Sequence, residues 1–313
     1  MRMILSSILA SSLLATLAVA QPSRSAAFEK SVHQASGHNK LPKNDVSAYV
    51  ITATSQFGTV DLRTGEFVLI PVSANLAELG IGAGLIQGPG RSLLSLAFSG
   101  DLYKIDPFTG EVSLVGNTRL ADCSAPGSYA PNCANFIGRL SESYYVTDFA
   151  NNLYSLDPNT GCTRLIGPTE VPPLTFAPFT EDPGLPGSFD VYAESLFSVH
   201  RNRKLYALFS TTAVNNETGT NTPLIPATIY QIDHAAGKTR LVTVTNPGLS
   251  SIVDVNDRIY AFDAFEGQVV TLNLANGHTK TVSAVHGDPC DAGPPACAIV
   301  GATAVNPLRE AGR

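Results

Sequence analysis

Asp101-Leu-Tyr-Lys-Ile-Asp-Pro-Phe-Thr-Gly110, followed by Glu111-Val-Ser-Leu-Val-Gly116, reads as a strand, a tight turn and a second strand. The phrase returns as Asn152-Leu-Tyr-Ser-Leu-Asp-Pro-Asn-Thr-Gly161. Further copies are Phe57-Gly-Thr-Val-Asp-Leu-Arg-Thr-Gly65, Thr228-Ile-Tyr-Gln-Ile-Asp-His-Ala-Ala-Gly237 and Val269-Val-Thr-Leu-Asn-Leu-Ala-Asn-Gly277. Each places Asp or Asn four residues before a Gly. The Asp or Asn oxygen caps the turn, and the Gly supplies the positive φ that closes it. The flanking residues alternate and are β-branched or aromatic, as strands require.

Two more apolar stretches precede most copies. They are Ile81 to Leu85 and Ser92 to Leu96, Phe136 to Leu140 and Tyr144 to Asp148, Val191 to Ser195 and Lys204 to Leu208, and Ser250 to Asp254 and Arg258 to Phe262. The unit is therefore four strands, a to d, repeating at roughly 40 to 50 residues, the signature of a β-propeller. The first copy has only Tyr49-Val-Ile-Thr52 before it, and Ile299-Val-Gly-Ala-Thr303 near the C-terminus is its missing partner. Closing the ring this way removes both open edges. The expected fold is all-β: a five-bladed β-propeller closed by a C-terminal strand that completes the first blade. Small residues on the expected innermost strands, among them Gly84, Gly138, Ala193 and Gly301, suit crowding near the axis.

The phrase Leu-Tyr-x-Ile-Asp-x-x-Thr-Gly resembles blades of the PQQ-like, YVTN and gluconolactonase-like propeller superfamilies, over most of Tyr49 to Pro307. The resemblance implies a fold and no particular chemistry. The chain has no Trp, so neither a tryptophan-docking nor a WD signature is present.

The segment 1–20 has a basic start at Arg2, an apolar run and an Ala18-Val-Ala20 cleavage site, the pattern of a signal peptide. Secretion is the expected address. Residues 21–47 are expected to be a flexible polar leader, 48–307 the propeller and 308–313 a tail. The net charge of −6 and the lack of a basic block give no support to nucleic-acid or membrane binding. In an oxidising compartment Cys123 with Cys133, and Cys290 with Cys297, are expected to form local disulfides. Cys162 is left over, and Asn216-Glu-Thr218 is an acceptor for N-glycosylation.

In an up-and-down blade the a–b and c–d turns share one face, and the b–c and d–a connections share the other. The d–a connections are long, and so is the polar b–c run Thr212 to Ala227, read as a loop. The expected site is therefore the loop-rich mouth of the central channel. Phe176 and Phe179, in a proline-rich loop, are candidate apolar walls. Arg139 and Glu194, read as equivalent inner-strand positions, are candidate polar groups, with Asn135, Asp190, Tyr192 and Asp254 nearby. Arg139, Glu194 and His286 are the catalytic candidates. No nucleophile motif, metal-binding motif or cofactor fingerprint is present, and no metal or cofactor is expected. The expected function is binding of a small organic molecule by a monomer, with cyclisation, isomerisation or lactone chemistry if it is an enzyme. A non-catalytic propeller presenting its face to a carbohydrate or protein is the alternative.

Overall fold

A computed structural model of the chain describes residues 46–120, 134–148, 150–169, 189–192, 195–199, 201–215, 220–246, 248–288, 290 and 298–305. The expected signal peptide, the leader to residue 45 and the tail from residue 308 lie outside them. Among the described residues no helix is long and apolar enough to cross a membrane.

The described strands form five antiparallel sheets, the blades of a five-bladed propeller. The first blade holds β1 (Ser47–Thr52), β2 (Phe57–Asp61) and β3 (Phe67–Leu69). The second holds β4 (Ile81–Gln87), β5 (Leu93–Ala97), β6 (Asp101–Ile105) and β7 (Val112–Asn117). The third holds β8 (Ala134–Leu140), β9 (Ser143–Asp148), β10 (Asn152–Leu156) and β11 (Thr163–Pro168). The fourth holds β12 (Phe189–Tyr192), β13 (Ser195–Val199), β14 (Lys204–Asn215), β15 (Thr220–Ile232) and β16 (Thr239–Thr245). The fifth holds β17 (Leu249–Val255), β18 (Arg258–Asp263), β19 (Gln268–Leu272) and β20 (Thr279–Ala284). The last strand, β21 (Ile299–Ala304), pairs with β1 and completes the first blade, as the sequence predicts.

The turn chemistry is as expected. Asp106 Oδ1 accepts the N–H groups of Phe108 at 2.8 Å and Thr109 at 3.0 Å, while the Gly110 N–H donates to the Asp106 carbonyl at 2.9 Å. Asn273 replaces Asp in the fifth blade and still accepts from Ala275 N–H at 2.9 Å. The glycine has a second role that the turn alone does not reveal. A Cβ on Gly110 would come within 1.8 Å of the Pro71 carbonyl oxygen, just beyond the first blade's outer strand. The equivalent Gly161, Gly237 and Gly277 press likewise on the outer-strand ends of the second, third and fourth blades.

The apolar core is five inter-blade layers rather than one centre. One cluster joins the first and second blades through Ile51, Phe57, Leu85 and Ile105, and another joins the fifth to the first through Val50, Val60, Val253 and Phe262. Fully burying a Phe side chain such as Phe57 or Phe262 contributes about 1.5–3 kcal/mol.

Each outermost strand is an edge, and four of the five carry the same blunting device. In blades two to five the c–d pairing slips by one residue at one point, leaving Val115, Ile166, Val242 or Val282 as the extra residue. Those residues pack on the inter-blade clusters. A bulge increases twist and makes an edge a poor template for another strand.

The fourth blade corrects two expectations. The strand that takes the inner position beside the start of β14 is β13, with Ser195↔Leu208 through Val199↔Lys204. The expected inner stretch, Val191 to Ser195, instead contributes β12, which pairs with the far half of β14. The run Thr212 to Ala227, expected as a loop, belongs to a long β14–β15 hairpin, paired from Thr212↔Pro223 to Asn215↔Thr220. Thr, Val and Ile there favour strand. Pro223 and Pro226 point towards a loop from sequence, yet they sit beside register shifts on a stretch of β15 that has no partner on its other side among the described strands.

Candidate functional site

Strand register assigns one residue per blade to a common height at the channel. Gln87 pairs with Leu93, Arg139 with Tyr144, Ser198 with Leu205, Asp254 with Ile259 and Ala304 with Ala48. In every blade that partner lies two residues before the strand-b residue facing the Tyr position of the repeated phrase. The layer thus follows from the repeat itself. All five residues border one cavity of about 350 Å³. Leu85, Leu196, Phe197 and Ile252 supply its apolar wall, and Ser141 and Glu142 its rim.

Arg139 is held from several sides. Its Nε donates to the Ser141 carbonyl at 2.5 Å, and an Nη2 hydrogen to Glu142 Oε1 at 3.1 Å. Its Nη1 faces the Gln87 side-chain oxygen at 3.4 Å, and Gln87 Nε2 donates in turn to the Ala304 carbonyl at 2.9 Å. The guanidinium carbon lies 5.5 Å from the centre of the Tyr144 ring, a cation–π geometry. Burial pushes the Tyr144 phenol above its ordinary pKa, with Arg139 acting the other way. Ser141 reaches its position with φ at 54°, a left-handed value uncommon outside glycine. The tight turn between β8 and β9 therefore aims a carbonyl back at the side chain just before it.

The cavity lies at the opposite mouth from the one expected. Gln87, Arg139, Ser198, Asp254 and Ala304 all sit at the C-terminal ends of inner strands, beside the a–b connections. That is the face of the tight c–d turns. Arg139 and Asp254 are brought together around one cavity, whereas Asn135 is at the other end of β8, roughly 13 Å along the strand at its ordinary rise per residue. Asn135 is buried, and its Nδ2 has no partner among the described residues. Asp190 and Tyr192 lie on β12, which pairs with the far half of β14 along the same edge as β13. The residue equivalent to Arg139 in the fourth blade is Ser198, not Glu194, because Ser198 is the one that register sets opposite Leu205. Glu194, Phe176, Phe179, Cys123, Cys133, Cys297 and Asn216 lie outside the described residues.

His286 is not at the channel. Its N–H donates to the Gly65 carbonyl at 3.0 Å, its carbonyl accepts from Phe67 N–H at 2.8 Å, and its ring Nε2 lies 3.2 Å from the Thr64 carbonyl. It joins the fifth blade to the outer part of the first. Gln87, Ser198, Ser141 and Glu142 were missed as site residues. The signal was present for the first two: counting from each Tyr of the phrase to its strand-a neighbour finds the layer.

No family model matches the chain, and no curated protein matches it. Among solved structures it is similar to a chain of a nidogen/laminin complex, at 11% identity and a TM-score of 0.45, over 82% of this chain and 97% of that one. It is also similar to a PQQ-bound aldose sugar dehydrogenase from Streptomyces coelicolor, at 14% identity and 0.36, over 62% and 58%. A third is BamB from Moraxella catarrhalis, at 13% and 0.31, over 74% and 68%. The fold-level resemblance read from the phrase is met by the architecture itself, five four-stranded blades around a central channel.

Proposed function

We propose that this protein binds a small organic ligand at the turn-face mouth of its central channel, with Arg139 as the group that fixes it. The supporting observation is the way Arg139 is held. Its side chain is 24% exposed, anchored by Ser141, Gln87, Glu142 and the Tyr144 ring, and it borders the cavity. A guanidinium ordered in advance loses little freedom when a ligand arrives. An apolar wall with a few convergent polar groups is the usual make-up of a small-molecule site. Glu142 and Asp254 are the carboxylates at this mouth, and neither His nor Cys is among the described lining residues. Turnover there would use acid–base groups and no covalent nucleophile, as cyclisation, isomerisation or lactone chemistry allows.

The reading carries a cellular address. We infer secretion, with the mature chain starting at Gln21, disulfides Cys123–Cys133 and Cys290–Cys297, and a glycan on Asn216. Cys290 is buried, the setting a disulfide half would have in the second pairing.

The test is a thermal-shift and NMR screen of the mature protein against small organic molecules. Hits are expected to bind wild type and to lose binding in Arg139→Ala, whose own melting temperature stays close to wild type. Hits that bind Arg139→Ala equally well overturn the reading.

A further inference from the structure

The layer around the mouth is chemically uneven although its backbone is repeated. Around the ring it runs Ala304, Gln87, Arg139, Ser198, Asp254. The two charges have opposite signs, stand on different blades and are separated by the one blade that offers a hydroxyl. The ion pair of Arg139 is with Glu142, three residues along its own turn at 3.1 Å. Arg139 and Asp254 both border one cavity, and Asp254 is only 5% exposed. The smallest residue of the layer, Ala304, stands between Asp254 and Gln87. A volume of about 350 Å³ is near the lower end of small-molecule sites, which run from about 300 to 1,000 Å³.

Resting on the binding role proposed above, we propose that the ligand is a small zwitterion of the amino-acid or short-peptide class. Its carboxylate meets the Arg139 guanidinium, whose planar fork matches it. Its ammonium meets Asp254, with the Ser198 hydroxyl between them. Its apolar side chain lies on Leu196, Phe197 and Ile252. A purely anionic ligand would meet Arg139 and be repelled by Asp254, and a purely cationic one the reverse. Only a molecule carrying both charges is attracted at both walls.

Calorimetric titration of the mature protein with L-leucine, Leu-Leu and Leu-Leu-Leu tests this and sets the charge spacing. The N-acetylated and C-amidated form of each serves as the blocked control. One zwitterion is expected to bind about tenfold or more tightly than either of its blocked forms. Asp254→Asn should erase the preference over the N-acetyl form and keep that over the amide. Arg139→Gln should do the reverse. Ala304→Leu, which keeps both charges and narrows the mouth, should weaken all three ligands and covers the case in which Asp254→Asn does not fold. Blocked forms binding as tightly as the zwitterion, an intact amine preference in Asp254→Asn, or undiminished binding in Ala304→Leu overturns the inference. So does failure of all three zwitterions. The binding reading survives that failure if another screened molecule binds wild type and not Arg139→Ala, and falls with it if none does.

Discussion

Gly65 in the first blade lies against Ala284 in the fifth, so closely that a Cβ on Gly65 would sit 1.8 Å from the Ala284 carbonyl oxygen. The same turn gives its Gly65 carbonyl to the His286 N–H at 3.0 Å. A turn of the first blade and the end of the last thus meet backbone to backbone, and the ring closes there as well as at β21.

Gly65→Ala should destabilise the protein much more than Gly80→Ala. Both glycines have positive φ, at 82° and 65°, but a Cβ on Gly80 meets nothing within 4 Å. Gly80→Ala therefore carries the left-handed backbone cost alone, about 1–2 kcal/mol. Gly65→Ala adds a backbone clash that only separation of the blades relieves, and about 4 kcal/mol or more is expected. Urea unfolding of the two variants decides, and equal losses would show that the turn conformation is all that matters.

Tyr154 gives the protein an alkaline limit. Its hydroxyl donates to Asp148 Oδ2 at 2.9 Å, and Asp148 is fully buried at the end of β9. Burial first, and then the hydrogen bond to Asp148, push the phenol from 10.0 up to about 12. The folded-state value is raised, so the protonated phenol is the form the fold favours. Its contribution is fully present below the unfolded value of about 10 and is lost as pH climbs through about 12. Tyr154→Phe should lower stability at neutral pH by about 1 kcal/mol and flatten this alkaline decline. An unchanged decline in melts from about pH 9 upward would falsify the assignment.

The outward residue before each bulge should be replaceable. Leu114, Leu165 and Leu241 face solvent at 61%, 57% and 51% exposure. The triple replacement by Lys should stay within about 0.5 kcal/mol of wild type per site. Deletion of Val115 should act oppositely, because it removes an inward side chain and restores a regular edge. Loss of stability together with larger species in size-exclusion chromatography is the expected outcome. A monomeric, wild-type-like deletion variant would rule out the bulge as an edge device.

Thiol counting tests the proposed cysteine pairing. Cys162 is the free cysteine among the described residues. Labelling of the denatured, unreduced mature chain should modify Cys162 alone. Modification of Cys123 or Cys133 would remove the staple proposed for their loop.

How far the site was readable depended on whether its signal was local. Arg139 and Asp254 were selected as polar residues on inner strands, and both border the cavity. Glu194 follows the small residue Ala193 as Arg139 follows Gly138, and that made the two read as equivalent. β12 and β13 both pair with β14, and only their register shows that Ser198 takes the equivalent place. Loop length points to one mouth of the channel, while strand direction decides that Arg139 stands at the other.

The amino-acid sequence by itself determined the unit and the count: five turn phrases, four strands to a blade, and a last strand that returns to the first. Those features are local, since a capping Asp, a left-handed Gly and a period of two act over a few residues. Only the tertiary structure decided that Gln87 and Ala304, 217 positions apart, share a hydrogen bond at one height of the channel, and that Gly65 must be bare for the neighbouring blade. Height and approach depend on the register of each strand against its neighbours and on the sum of all the connections between, and no short stretch of chain encodes that.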